Sequence, residues 1–528
     1  MINVLLIFLL PGLQLACCAL GLSQLTADKK GKGAIHMELA CQAPVSNEMV
    51  GALDEPHDPI YKDYFSPMEE IWVALESNKH DIEARKARIY VIKHNNTNPL
   101  QNGEKLEDVS GGSEEVLLQP ERTHAVFKRV WCKPGIREEG YDVVIDFKNS
   151  SGQYGTYDEG LDILDSGKKG GFYVPKKWVC LESVSFNHSK NSINSDAITI
   201  RISSEMNVRT PEWTRGRHAD PAAYIANSPV TLKPVFKAAS GISSVQIKAY
   251  KNSGDLSDSK KQKILFYTNG ESYPSYLDLY LDTPKSIKSF YQAWQWYLCR
   301  VNNDNSKEEI HIATTVNKVY IVLAVPQGPW TTGEETAPWA RVLDIATRIA
   351  ADEDSPESAA GKINRFLYEA VGASYYRNST RYSTNKKSSV FSNFKLTAFL
   401  DNIPNVNRVN CYDMAKALVI FSNALGCNLN LRYCRNFGAL NCVKPVGIND
   451  WKCSLFFYNH AFAAHGHNVF DASIKMDTWG DQGKPPFRET WLINIPWWRY
   501  KEIVLKKSSI PESYYPKIVL FEIKDSKK

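Results

Sequence analysis

Residues 409–426 read VNCYDMAKALVIFSNALG, and the fold this run adopts decides how the rest of the chain is organised. Met414, Leu418, Phe421 and Leu425 recur at i, i+4, i+7 and i+11, which predicts one apolar stripe along a helix that Gly426 ends. Cys411 then sits in or just before the first turn. Unsatisfied backbone N–H groups and the helix dipole favour negative charge there, so the position suits a sulfur nucleophile.

Such a sulfur needs a base that takes and returns its proton, and a third group that fixes the base's tautomer. Working outward, His460 lies in the alternating run SLFFYNHAFAA and Asp471 in NVFDASIK, 49 and 60 residues beyond Cys411. The short polar link AHGHN joins the two runs. Paired as a hairpin, they let imidazole and carboxylate meet on one side of a sheet. His465 and His467 are close by, but the strand alternation and the NHAF setting favour His460.

The three segments NCYDMA, NHAF and VFDAS, in this order and setting, resemble the transglutaminase-like core. That superfamily contains both protein cross-linking acyltransferases and thiol peptidases. The resemblance covers roughly residues 339–477 and implies an α+β, papain-like core with Cys411 as nucleophile, His460 as general base and acid, and Asp471 as its orienting partner. Asn410 stands where the family often has a small or acidic residue, and Phe462 replaces the commoner tryptophan after the histidine. Neither change removes a reacting group. The family also places an aromatic or amide group near the oxyanion, which points to Tyr375 or Tyr376.

Two helices are predicted ahead of the cysteine. Val342, Ile345 and Ile349 are helically spaced, and Ser355-Pro356-Glu357 is a helix start with a capping serine and a proline at the first position. Before them, residues 326–338 read as a hinge. Between them and Cys411, RNSTRYSTNKKSSVFSNFK reads as a solvated basic loop, with flanking of a substrate groove and a preference for acidic peptides as its functional alternative.

Upstream the chain is strand-rich. IWVAL, ARIYVI, AVFKRVW, YDVVIDF and AITIRI predict a β-sandwich over residues 36–204. VTLKPVF, SVQIKAY, YLDLYL, AWQWYLCRV, EIHIATT and KVYIVLAV predict a second, immunoglobulin-like sandwich over residues 210–326, set off by TPEWTRGRHADP. The expected architecture is therefore multidomain, two β-sandwiches followed by a catalytic region at residues 336–528. Downstream of Asp477, EIVLKK and KIVLFEI read as strands, and Trp491, Trp497 and Trp498 either close a core or line a pocket.

At 528 residues with 43% hydrophobic content the chain can bury several cores. Its 63 basic and 58 acidic side chains leave a net charge of only +5, which excludes nucleic acid as a partner class. Residues 1–20 hold an apolar run suited to a signal peptide, which predicts export to the cell envelope or beyond. Leu15-Ala16-Cys17 resembles the end of a lipoprotein leader, so the membrane enters only through an N-terminal lipid anchor. Cys41, Cys132, Cys180, Cys299, Cys427, Cys434, Cys442 and Cys453 form an even set that could pair fully, with two disulfides expected among the last four. No cofactor is called for. Calcium is the one candidate, at Asp146, Asn149, Asp158, Asp162 and Asp165, against an ordinary solvated hairpin.

These readings predict an exported thiol enzyme acting on a protein or peptide through a thioester. Hydrolysis is favoured over cross-linking, since the C-terminal region lacks the calcium-site pattern that calcium-dependent members lead one to expect. A non-catalytic surface binding protein with a degenerate core is the alternative class.

Overall fold

Strand-forming runs pair wherever their β-branched and apolar residues can be covered, and the computed structural model shows how this chain covers them. It describes residues 178–523 apart from 187–196, 216, 302–306, 332–336, 377–380, 385–391, 478–484 and 507–514, and upstream only the backbone of strands between residues 35 and 174. The leader, Cys41, Cys132, Asn149, Asp158, Asp162 and Asp165 lie outside the described residues, and of Asp146 only the backbone is placed. The chain is predominantly β. Contacts divide it into Met1–Lys176 and Lys177–Lys528.

In the first unit, Ile35–Ala40, Ile71–Ser77 and Arg122–Phe127 form one antiparallel sheet. Glu114–Leu117, Lys86–Lys93, Glu139–Lys148, Tyr154–Gly155 and Gly171–Val174 form another.

The second unit opens with a sandwich of two five-stranded sheets. Its shared core contains Leu181, Phe186, Phe236, Ile247, Trp294, Trp296 and Val319. Val179–Ser185, which the sequence grouped with the first block, pairs with Thr231–Ala238 here. The presumed separator TPEWTRGRHADP supplies the short strands Trp213–Thr214 and His218–Ala219 to the same sheet, because Trp213 is buried in its core. EIHIATT and KVYIVLAV, read as two strands, are one continuous strand, Lys307–Val322, paired with Lys288–Val301.

Ile198 and Ile200, expected in the first sandwich, instead join the core around the cysteine helix. That helix is Cys411–Ala424. The single stripe predicted for it is an understatement, since the helix is covered on nearly every side. Ala340–Ile349 and Pro356–Glu369 pack on it, the latter capped by the Ser355 side chain with Pro356 at its first position. Opposite lie Ala461, Ala463, Phe470 and Ala472 of the strands Phe456–His465 and Asn468–Asp477. Full burial of a Leu or Phe side chain contributes about 1.5–3 kcal/mol, so this shared core fixes the helix firmly.

The described residues at the start of the expected hinge, 326–331, are likewise built in. Trp330 is fully buried and its indole N–H donates to the Ile420 carbonyl at 2.9 Å. Leu323 and Gln327 donate backbone N–H to Leu425 and Asn423. Gly426 ends the helix at φ +84°, and a Cβ there would lie 2.6 Å from the Ala324 nitrogen. Gly426→Ala is therefore expected to lower unfolding free energy by about 2 kcal/mol or more in a urea titration. An unchanged midpoint would show that the junction yields easily.

EIVLKK is corrected too. Its first residues finish the helix Trp497–Val504, because Trp497, Tyr500 and Val504 recur at helical spacing and are buried, while Trp498 is exposed. KIVLFEI forms the short strands Lys517–Ile518 and Phe521–Ile523.

Candidate active site

Asn410 is extended and its side-chain oxygen accepts from the N–H groups of Tyr412 (2.9 Å) and Asp413 (3.2 Å), while Asp413 reaches back to the Asn410 N–H. This capping box starts the helix at Cys411 and explains asparagine at a position where the family resemblance suggested otherwise. Of the first three helical amides, that of Cys411 is the one Asn410 does not take up.

Phe456–His465 and Asn468–Asp477 pair antiparallel through Ala463–Phe470, Ala464–Val469 and His465–Asn468, with Gly466 turning the hairpin. Beyond Ala463 the pairing stops, and there His460 meets Asp471. The imidazole Nε2–H donates to Asp471 Oδ2 at 2.8 Å. The assignment follows from the carboxylate, which can only accept. Tyr500, from the helix Trp497–Val504, donates its hydroxyl hydrogen to the same Oδ2 at 2.7 Å, and its oxygen lies 3.1 Å from Nε2. Asp471 Oδ1 accepts from the Ser473 N–H (2.9 Å) and hydroxyl (2.6 Å). With its amide oxygen turned inward, buried Asn364 accepts from the backbone N–H of Asp471 and Ala472.

His460 Nδ1 is buried without a hydrogen-bond partner. Cys411 is close enough to the imidazole to raise its proton affinity. The structure thus brings Cys411, His460 and Asp471 together. Burial works against a charged imidazole, but Asp471 and then Cys411 outweigh it and raise His460 from its ordinary value to about 10. Burial likewise opposes the Asp471 carboxylate, yet His460, Ser473 and Tyr500 hold it below the usual carboxylate range. The ring sits among Phe437, Phe457 and Phe462, with centroids 4.7, 5.3 and 6.0 Å away. Such a wall keeps water from competing for the pair and strengthens its attraction.

The other sequence candidates are placed apart. His465 Nδ1 bonds Glu357 at 2.9 Å, and the His467 ring packs on Tyr515. Tyr375 stacks on Phe457, while Tyr376 faces outward beside Arg408. Sequence reasoning missed Tyr500, Ser473 and Asn364. Ser473 was findable, two residues beyond Asp471 on the same strand. Tyr500 stood in a run read for its tryptophans.

One disulfide, Cys442–Cys453, replaces the two expected. Cys427 lies in the core around the cysteine helix and Cys434 in a separate core beside His460, so each keeps a buried thiol, as does Cys299. Cys180 hydrogen-bonds Glu182. Among the described residues no group of three or more His, Cys, Asp and Glu side chains is arranged to hold a metal ion, and no helix is long and apolar enough to cross a membrane.

Behind the cysteine, Lys416 is fully buried and its ammonium has no hydrogen-bond partner. Burial pulls it down to about 8, partly offset by Asp413, whose own carboxyl burial pushes up. A lysine depressed in the folded state contributes stability above its unfolded pKa, near 10.4, and loses it as pH falls through the folded value. Lys416→Met should therefore stabilise the protein at pH 7, by about 1–2 kcal/mol once the uncompensated charge left on buried Asp413 is counted against it. The gain should fade between pH 8 and 10.5 when melting temperature is followed. A variant less stable than the parent at pH 7 would contradict this.

No family model matches the chain, and no curated protein matches it. Among solved structures it is similar to a chaperone–tip adhesin complex of CFA/I fimbriae biogenesis, at 14% identity over 47% of this chain and 95% of that one, with a TM-score of 0.16. Trypsin-activated alpha-2-macroglobulin from Escherichia coli matches at 6% identity over 58% of this chain but only 18% of its own, with a TM-score of 0.15. CBD12 from CALX1.2 matches at 7% identity over 49% of this chain and 96% of that one, with a TM-score of 0.14. Scores this low carry no conclusion about fold or function.

Proposed function

We propose that this chain is a transglutaminase-like thiol enzyme, an exported Cys-His-Asp acyl-transfer catalyst that hydrolyses peptide or amide bonds. The observation that supports it best is the imidazole itself. His460 is held by Asp471 at one nitrogen, and its other nitrogen is left without a partner within range of a cysteine at a helix start. Buried polar side-chain atoms are in the large majority hydrogen-bonded, so an open imidazole nitrogen at such depth calls for a functional explanation.

In this reading the proton shared by Cys411 and His460 already rests on Nδ1 when Cys411 Sγ attacks a substrate carbonyl carbon. The C–N bond then breaks, the imidazolium returns that proton to the departing amine, and a thioester remains. Water, deprotonated by the same nitrogen, attacks the thioester and releases the acid and the thiol. Asp471 keeps the ring in the required tautomer and stabilises its positive charge. The backbone N–H of Cys411 is one donor for the developing oxyanion.

The experiment is incubation of purified protein with peptides carrying glutamine and lysine, with mass spectrometry of the products. Cleaved or deamidated peptides are expected. Glutamine–lysine conjugates would replace hydrolysis by cross-linking. No turnover, together with iodoacetamide labelling of Cys411 no faster than a denatured-peptide cysteine, would leave the non-catalytic binding protein.

A further inference from the structure

The surface next to Cys411 carries positive charge that no carboxylate among the described residues pairs. Arg408 lies three residues before Cys411 on the strand Asn407–Val409, whose Val409 pairs with Tyr375. Its guanidinium sits 5.4 Å over the exposed Tyr376 ring. Arg381 gives its backbone N–H to Asp413 in the first turn of the cysteine helix, and its guanidinium lies over the Tyr382 ring. Arg435 stands opposite Asn459, next to His460, and is near enough to Tyr412 to act on its hydroxyl. All three side chains are exposed, and none is paired with a carboxylate among the described residues. Elsewhere in this unit Arg209, Arg215, Arg341 and Arg499 each meet an Asp or Glu. Asp413, which accepts the Arg381 backbone N–H, is buried and already committed to the helix cap.

Apolar surface adjoins the same rim. Phe456 and Tyr458 are 43% and 67% exposed, with rings edge-to-face at 5.0 Å. They lie on the strand that carries His460, and between them Phe457 links the buried imidazole to Tyr375. Three guanidinia without a carboxylate partner among the described residues, Arg381 donating to the Val406 carbonyl, lie beside two exposed rings and fit a chain that brings both carboxylates and an aromatic side chain, since bidentate carboxylate pairing and ring stacking use these groups directly.

We infer that the rim formed by Arg381, Arg408, Arg435, Phe456 and Tyr458 selects acidic peptide segments carrying an aromatic residue close to the acyl group that reaches Cys411. This deepens the thiol-enzyme reading and rests on it for the chemistry, although binding can be measured without chemistry.

The test uses the full chain with Cys411→Ala and fluorescence anisotropy of labelled hexapeptides in four versions: acidic–aromatic, basic–aromatic, acidic–glycine and uncharged–glycine. The acidic–aromatic peptide should bind at least ten-fold tighter than its basic counterpart, with affinity that falls as salt rises. Arg408→Gln and Arg435→Gln should each weaken it several-fold, and Phe456→Ala with Tyr458→Ala should abolish the preference for the aromatic peptide while keeping the charge preference. Circular dichroism confirms that each variant is folded. Equal binding of acidic and basic peptides, no measurable binding of any peptide, or binding only of an anionic polysaccharide would overturn the proposal. Iodoacetamide labelling of Cys411 in the parent protein is read separately, so loss of peptide selectivity with rapid labelling removes the specificity claim alone.

Discussion

Asp471→Ala should be the most damaging single change in the second unit. It removes the carboxylate bonded to a fully buried imidazole and leaves the Ser473 hydroxyl and N–H and the Tyr500 hydroxyl without their shared acceptor. Breaking a buried pair from one side costs about 3–5 kcal/mol. Its pH dependence follows from both partners. The raised pKa of His460 contributes stability that is complete below about 6.5 and lost as pH rises through about 10. The lowered pKa of Asp471 contributes stability present above about 4 and lost as pH falls below it. The difference between parent and variant should therefore be greatest between about pH 4 and 6.5 and narrow steadily toward pH 10. Urea unfolding at a series of pH values measures it, and a cost that does not vary with pH would mean that the two groups do not share their charge. Turnover should fall by about four orders of magnitude, as expected when a base loses the group that sets its tautomer.

Cys411→Ala should separate chemistry from architecture. Among the described residues the thiol acts on His460 and the loss of one sulfur changes little packing, so the variant should fold with a midpoint within about 1 kcal/mol of the parent while thioester formation disappears altogether. A second readout is the imidazole. Cys411 contributes to the upward shift of His460, so the variant's His460 should titrate below about 10 in a nitrogen-15 NMR series. Residual turnover comparable to the parent would transfer the nucleophile elsewhere, and an unmoved imidazole would place the sulfur out of reach.

The candidate constellation was legible because each member announces itself locally. Asn410 with Asp413 marks a helix start, Gly426 its end, and the alternation around His460 and Asp471 marks a hairpin. What supports that constellation was not legible, because support is long-range. Tyr500 meets Asp471 across 29 residues and Asn364 lies more than 100 residues before it, so neither contact leaves a periodic trace. The same cause misplaced Val179–Ser185 and Ile198, whose apolar character announces burial but not the partner. EIVLKK failed for a different reason. Its β-branched residues favour a strand, yet Trp497, Tyr500 and Val504 find a common buried face only as a helix. The cysteine pairing failed because an even count says nothing about distance, and Cys427 and Cys434 finish in different cores.

The bond from Trp330 to the Ile420 carbonyl has a practical implication for anyone dissecting the chain. A fragment beginning near residue 336 would strip the cysteine helix of that indole, of the Leu323 and Gln327 amides at its far end, and of Ile198 and Tyr320 in its wall. What resembles a detachable enzyme preceded by an accessory module is one inseparable folding block, so excision should give insoluble or molten material rather than a minimal catalyst.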